Sequence, residues 1–134
     1  MHYRQGDLLQ SPSNLAHCVS HDMVMGRGIA VEIANRFGRH DINIAPKHGV
    51  AWKIVDNRYI LYLITKDRYD DKPSLLDMKI TLINLRWFCE TRGIRQLSIP
   101  RIGCGLDRLS WTDVEKLIIE ELDNHGIEIT VYIE

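Results

Sequence analysis

The run Ile60-Leu61-Tyr62-Leu63-Ile64 decides the layered fold that we predict for this chain, because no polar residue interrupts it. It lies within a predicted strand from Arg58 to Thr65. A strand that is apolar on both faces belongs in the middle of a sheet covered on both sides. A second predicted strand, Val50 to Val55, precedes it. The two form a hairpin joined at Asp56-Asn57, since these residues tolerate the positive φ of a tight turn.

Strand and helix signals alternate along the rest of the chain. A helix is predicted from Gly28 to Phe37, where apolar residues recur at helical spacing and Gly38 follows as a stop. The segment from Asp41 to Lys47 is ambiguous, with a short helix broken by Pro46 as one interpretation. The other predicted elements are strands at 2–5, 15–19, 95–99 and 127–133, a helix capped by Ser74 that runs to about Thr91, and a helix that begins at Ser110 with a similar cap and ends at Gly126. This order favours one α/β domain over residues 1–134, with helices covering a sheet.

The composition is that of an ordinary globular domain. The 134 residues are 45% hydrophobic and 26% charged, and the tryptophans Trp52, Trp87 and Trp111 are most simply core or helix-packing residues. Lys and Arg number 17 against 18 Asp and Glu, which gives a formal net charge of −1. A basic surface over the whole domain, as expected for nucleic acid, is therefore excluded. A local basic patch stays open, formed by Lys66, Arg68, Lys72, Arg101 and Arg108.

Cys18, Cys89 and Cys104 form no CxxC pair, so the sequence indicates neither a disulfide framework nor a zinc site. His17 lies within an apolar predicted strand and is a packed histidine rather than a ligand, and the other five histidines show no metal-binding spacing, so no metal is expected. We expect a protein of a reducing, intracellular compartment, cytoplasmic or, in a eukaryote, also nuclear. The first seven residues lack the apolar stretch of a signal peptide, and no apolar run is long enough to span a membrane.

Several unusual loops directly follow predicted strands. They are Gly6-Asp7, Ser20 to Gly28, Lys66, and Pro100 to Asp107. Ligands of open α/β sheets bind outside the carboxyl ends of strands, so parallel strands would bring these loops to one edge. The glycine pairs in Gly26-Arg27-Gly28 and Gly103-Cys104-Gly105 suit an anion such as a phosphate, and the first stands directly before a helix. Each pair alone also fits a plain turn.

The whole string Ile99-Pro100-Arg101-Ile102-Gly103-Cys104-Gly105-Leu106-Asp107-Arg108-Leu109 is more specific than either glycine pair. Four further stretches accompany it: Gly6-Asp7-Leu8, Leu15-Ala16-His17-Cys18-Val19-Ser20, Met25-Gly26-Arg27-Gly28-Ile29-Ala30 and Tyr62-Leu63-Ile64-Thr65-Lys66. Together they resemble the macrodomain family, and within it the branch that contains terminal ADP-ribose protein glycohydrolase. DNA ADP-ribosyl glycohydrolase antitoxin macrodomains are related to this branch. The resemblance covers nearly the full chain.

The resemblance implies a single three-layer α/β/α macrodomain with a mixed central sheet that binds ADP-ribose. Asp7 would accept a hydrogen bond from the adenine amino group, with Leu8 beside it and Tyr132 near the adenine face. The two glycine loops would clasp the pyrophosphate and the distal ribose, and Ser20 would lie near that ribose. The implied ligand-binding residues are Asp7, Leu8, Ser20, Gly26, Arg27, Gly28, Ile29, Thr65, Ile102, Gly103, Cys104, Gly105, Leu106 and Tyr132.

The resemblance also implies a catalytic pair, Lys66 and Asp107. A lysine amine attacks the anomeric carbon of a ribose only when it is uncharged, which requires a desolvated setting or cationic neighbours. Asp107 would act as general base and later as acid, although an ionised aspartate close to Lys66 also favours the charged amine. Without the resemblance, Lys66 is a solvated strand-end lysine, and Asp107 pairs only with Arg108. Cys104 is a small loop residue rather than a thiol nucleophile.

The implied function is an enzyme that hydrolyses mono-ADP-ribose from modified acidic side chains or nucleobases. Two other functions stay open: a non-catalytic reader of ADP-ribose, and a hydrolase of ADP-ribose 1″-phosphate or O-acetyl-ADP-ribose. The expected partners are ADP-ribose and either ADP-ribosylated protein, modified at glutamate or aspartate, or ADP-ribosylated DNA. We expect a monomer that needs no cofactor.

Overall fold

Six strands form one mixed sheet in a computed structural model that describes residues 1–134. The strands are β1 His2–Gln5, β2 Leu15–Ser20, β3 Val50–Val55, β4 Arg58–Lys66, β5 Gln96–Ile99 and β6 Glu128–Ile133. Across the sheet they lie in the order β1-β6-β5-β2-β4-β3. Every neighbouring pair is parallel except β3 with β4, which form the antiparallel hairpin predicted from the sequence.

Three helices cover the two faces of this sheet: α1 Ile29–Phe37, α2 Leu75–Arg92 and α3 Trp111–Glu121. Helices α2 and α3 share one buried cluster with Leu61 and Leu63 of β4. Helix α1 shares a second cluster with Ile60, Tyr62 and Ile64. Successive residues of β4 therefore enter opposite cores, as its unbroken apolar sequence predicts. The result is the expected three-layer α/β/α fold.

The start of α2 has the cap that its sequence predicts. The Asp77 backbone N–H donates to the Ser74 hydroxyl at 3.0 Å, and the Ser74 N–H donates to the Asp77 carboxylate at 2.8 Å. His48 also lies 2.8 Å from that carboxylate. Burial alone would raise the pKa of Asp77, but these hydrogen bonds outweigh it and lower the pKa to about 2. The ionised cap thus ties the start of α2 to the loop before β3.

The prediction that Trp87 is a core or helix-packing residue is wrong, because this side chain is 59% exposed. Phe88, the next residue of α2, instead packs against Trp52 and Tyr59, with ring centroids 6.3 and 6.0 Å away. The Arg92 guanidinium covers the same aromatic group and lies 4.3 Å from the Trp52 ring centroid. Trp52 is therefore a half-buried helix-packing residue, as expected.

Two further segments differ from the prediction. Residues 41–47 form no helix; Asn43 instead makes an isolated antiparallel bridge to Trp52 of the edge strand. Helix α3 ends at Glu121, and a 3₁₀ turn at Asp123–His125 leads to Gly126. The Ser110 side chain makes no capping hydrogen bond at the start of α3.

No helix is both long enough and apolar enough to cross a membrane.

A β-bulge interrupts the pairing of β2 with β4 close to the carboxyl ends of both strands. Val19 pairs with Ile64, whereas the next residue, Ser20, pairs with Lys66, so that Thr65 is an extra residue on β4. An extra residue of this kind re-aims the side chains that follow it. The bulge therefore helps to set the direction of Lys66 at the edge of the sheet.

Candidate active site

A cavity of about 530 Å³ lies at the carboxyl ends of β2, β4 and β5. These three strands run parallel, so the loops that follow them meet at one edge of the sheet, as predicted. Eleven of the predicted site residues line the cavity: Ser20, Gly26, Arg27, Gly28, Ile29, Lys66, Ile102, Gly103, Gly105, Leu106 and Asp107.

Two further predicted residues, Leu8 and Tyr132, line a second depression of about 410 Å³. This depression shares Gly28, Ile29 and Pro100 with the main cavity. The two spaces are therefore neighbours, and the start of α1 lies at their common border.

The remaining three predicted residues line neither space. The Asp7 carboxylate accepts a hydrogen bond from the Leu9 N–H at 2.9 Å and so caps a 3₁₀ turn at Leu8–Gln10. Thr65 is fully buried. The Cys104 thiol is half-buried and donates to the Ile102 carbonyl at 3.3 Å. Their predicted ligand contacts stay predictions.

Lys66 and Asp107 form an ion pair inside the cavity. Lys66 Nζ lies 2.7 Å from Asp107 Oδ1, and each side chain is only 12% exposed. Lys66 is thus not a freely solvated strand-end lysine. The plainer interpretation of Asp107 as a partner of Arg108 alone is wrong, because Arg108 is exposed and makes no ion pair. A carboxylate at this distance from a lysine is well placed to take its proton.

The loop that carries Asp107 is held by contacts on both sides. The Leu109 N–H donates to the Gly103 carbonyl at 2.7 Å, and Lys72 Nζ donates to the Leu106 carbonyl at 2.6 Å. Gly103 has φ +74°, and a Cβ there would lie 2.7 Å from Met78 Cε. Only glycine fits this conformation easily. These contacts fix the position of Asp107 relative to Lys66.

Asp22, which the sequence analysis did not single out, joins two sides of the cavity. Its carboxylate accepts hydrogen bonds from the Ser20 hydroxyl and, at 2.9 Å, from the Tyr69 N–H. Burial alone would raise the pKa of Asp22, but these hydrogen bonds and one from the Val24 N–H outweigh it and lower the pKa. The only sequence signal for this role is an aspartate in a loop, a residue type that often bonds its own backbone.

Neither thiol beside the cavity is an activated nucleophile. Burial is the main cause that raises the pKa of Cys18, and the Asp107 carboxylate adds to it. Burial also raises the pKa of Cys104. A raised pKa keeps a thiol protonated and unreactive, so Cys104 is a loop residue rather than a nucleophile. No group of three or more His, Cys, Asp or Glu side chains is placed to hold a metal ion.

Comparison with known proteins identifies the family. No protein-family model matches the chain. The macrodomain of Thermus aquaticus DarG has the same fold, with a TM-score of 0.84, 23% identity, and coverage of 99% of this chain and 97% of that one. Human ADP-ribose glycohydrolase OARD1 is 44% identical over 97% of this chain and 89% of its own length. This chain belongs to the macrodomain family.

Within the family, similarity extends to a second named glycohydrolase. The DNA ADP-ribosyl glycohydrolase of Mycobacterium tuberculosis is 26% identical over 87% of this chain, which spans 37% of that longer protein. The similarity to human OARD1 is higher and covers most of both chains.

Proposed function

We propose that this macrodomain binds ADP-ribose and removes it from ADP-ribosylated acidic side chains as a glycohydrolase. The observation that carries the proposal is the Lys66–Asp107 ion pair, 2.7 Å long and nearly buried in the cavity. Burying a charged pair is costly, and a module that only binds ADP-ribose has no evident need for one. The two relatives named as glycohydrolases support an enzyme rather than a reader.

The proposed ligand extends from the second depression into the main cavity. Adenine would lie beside Leu8 and Tyr132, and the distal ribose beside Lys66 and Asp107. The pyrophosphate would lie between them at the start of α1, where free N–H groups and the helix dipole favour an anion. The border at Gly28, which the two spaces share, supports this extended position.

The proposed reaction begins when the Lys66 ammonium gives a proton to the Asp107 carboxylate. The uncharged amine attacks C1″ of the distal ribose and forms a C–N bond, while the bond from C1″ to the ester oxygen of the acceptor breaks. The acceptor carboxylate leaves with that electron pair. Water then attacks C1″ and breaks the C–N bond, Asp107 returns its proton to the amine, and one proton of the water passes to solvent.

The test of this mechanism combines rates with trapping of the covalent intermediate. Lys66→Ala should lower kcat by roughly 10²–10⁴-fold, the range typical of a positioned proton-transfer or nucleophilic group, and Asp107→Asn should lower it while ADP-ribose still binds. The Lys66–C1″ adduct equilibrates with a ring-opened form, in which the C1″–O4″ bond breaks, one nitrogen proton moves to O4″ and a protonated Schiff base forms. Borohydride added during turnover should reduce this C=N bond and leave a stable adduct on Lys66. Lys79→Ala, which changes an exposed lysine of α2, serves as the control. Wild-type turnover by Lys66→Ala would exclude the mechanism.

A nucleobase is the second candidate acceptor, because the mycobacterial relative is named for DNA. Three of the five cations of the predicted basic patch are occupied: Lys66 pairs with Asp107, Arg68 lies 3.2 Å from Asp70, and Lys72 binds a backbone carbonyl. Only Arg101 and Arg108 are exposed and make no ion pair. We therefore favour acidic side chains as acceptors. A side-by-side assay on glutamate-linked protein and on ADP-ribosylated DNA tests this preference, and faster release from DNA would reverse it.

Activity on ADP-ribose 1″-phosphate that survives Lys66→Ala would indicate a small-molecule hydrolase instead.

A further inference from the structure

Arg39, which lies just beyond the carboxyl end of α1, reaches back to the loop before that helix. One guanidinium nitrogen donates to the carbonyls of Met23 and Val24 at 3.1 and 2.7 Å. The other donates to the Met25 carbonyl at 3.2 Å. Three separate guanidinium hydrogens thus hold three successive backbone carbonyls, which matches the fixed donor geometry of arginine.

The loop that Arg39 holds has an unfavourable backbone conformation. Met23 and Met25 have φ values of +56° and +46°, in the left-handed region that residues other than glycine rarely adopt. Such a conformation persists only where surrounding contacts determine it. Apart from the Asp22 side chain, which binds the Val24 N–H, the Arg39 guanidinium is the polar side chain that contacts this stretch.

The three carbonyls also fix where the neighbouring amide groups point. In a trans peptide unit the C=O and the next N–H point in opposite directions. Carbonyls turned towards Arg39 therefore turn the N–H groups of Met25 and Gly26 away from it. The N–H groups of residues 25–29 make no hydrogen bond within the chain, and all five residues line the cavity. Successive free N–H groups in such a turn form a concave binding site for an anion.

We propose that Arg39 is a positioning residue that presets the 25–29 loop as the cradle for the pyrophosphate of ADP-ribose. The inference rests on the proposed function. Arg39 does not line the cavity, so it acts through the loop backbone and makes no contact with the ligand. Its loss leaves the loop free to relax the two strained residues, and the ligand must then order the loop again on binding.

The test measures ADP-ribose and adenosine binding to Arg39→Ala, Arg39→Lys and the control Arg36→Ala. Arg36 is a nearby exposed arginine of α1 that makes no hydrogen bond or ion pair. We expect Arg39→Ala to weaken ADP-ribose binding by about tenfold through lost preorganisation, with adenosine, which has no phosphate, affected far less. In turnover, KM should rise while kcat at saturation stays within about twofold, because the Lys66–Asp107 pair is untouched. Arg39→Lys should recover part of the affinity.

Three results would overturn the inference. They are unchanged ADP-ribose affinity in Arg39→Ala, equal losses for adenosine and ADP-ribose, and an equal loss in Arg36→Ala. Equal losses for both ligands would show that Arg39 supports only the general stability of the domain, which thermal unfolding of the same variants would register. If the wild type itself fails to bind ADP-ribose, the proposed function fails instead, so the two failures are distinguishable.

Discussion

His17 provides a direct test of the core between β2 and α1. Its side chain is fully buried, and neither ring nitrogen has a hydrogen-bond partner in the chain. The ring packs edge-on against Tyr62, with centroids 5.0 Å apart. Burial lowers the pKa of His17 from 6.5 to about 3. The sequence-based interpretation of a packed histidine is confirmed, and it carries a consequence for acid stability.

The size of that consequence follows from proton linkage. Between the two pKa values the unfolded chain binds a proton at His17 and the native protein does not, so the free energy of unfolding decreases as the pH falls. One pKa unit corresponds to about 1.4 kcal/mol, which gives roughly 5 kcal/mol for the whole interval. Between about pH 7 and about pH 5, the expected loss is about 2 kcal/mol.

Urea unfolding at about pH 7 and about pH 5 measures this loss in the wild type, in His17→Leu and in His21→Leu. His21 is exposed and serves as the matched control. The carboxylates of Asp22 and Asp77, whose pKa values are lowered from 3.8, titrate below this pH range. They therefore do not contribute to the loss of stability measured between the two pH values. We expect His17→Leu to lose clearly less stability than the other two proteins. An equal loss in all three would refute the reasoning.

The cap of α2, the loop at Gly103–Gly105 and the thiols give three further tests. Asp77→Asn should lower the free energy of unfolding at neutral pH by about 1–2 kcal/mol. Folding lowers the pKa of Asp77 from 3.8 to about 2, so the wild type loses this advantage as the pH falls through that interval. The free energies of unfolding of the wild type and of Asp77→Asn, measured with urea, should therefore become equal at low pH. Gly103→Ala should cost about 1–3 kcal/mol by strain at positive φ and crowding, whereas Gly105→Ala, with open space around its Cβ, should stay within about 0.5 kcal/mol in thermal unfolding. Burial raises the pKa of Cys89 to about 12 and also raises that of Cys104, so iodoacetamide should label both at least about tenfold more slowly in the native than in the unfolded protein.

The parts of the fold that the sequence predicts are those encoded by local patterns. The β3–β4 hairpin, the cap at Ser74 and the apolar run of β4 each depend on residues only a few positions apart. Lys66 and Asp107 were identified by resemblance to a family, and the structure brings them together although 41 positions separate them. Spacing along the chain alone could not establish that contact.

The parts that the sequence missed depend on neighbours in space. Arg39 lies 14 to 16 positions from the carbonyls that it binds, and Asp22 lies 47 positions from Tyr69. No periodic pattern encodes such contacts. Trp87 and Phe88 are adjacent on α2, and both are large and apolar. Which of them faces the sheet is decided by the aromatic group on β3 and β4, not by hydrophobicity.

The extra residue Thr65 shifts the pairing register of β4 against β2 by one position. Successive side chains of a strand point to opposite faces of the sheet. A register shift of one position therefore exchanges the faces of all the residues that follow it. The bulge places Lys66, and no other residue, opposite Ser20. If β2 and β4 paired regularly, Thr65 would lie opposite Ser20, and Lys66 would fall one position further along, on the other face of the sheet. When chains of this fold are aligned, a lysine is therefore equivalent to Lys66 only if it lies opposite the residue that corresponds to Ser20, whatever the number of residues before it.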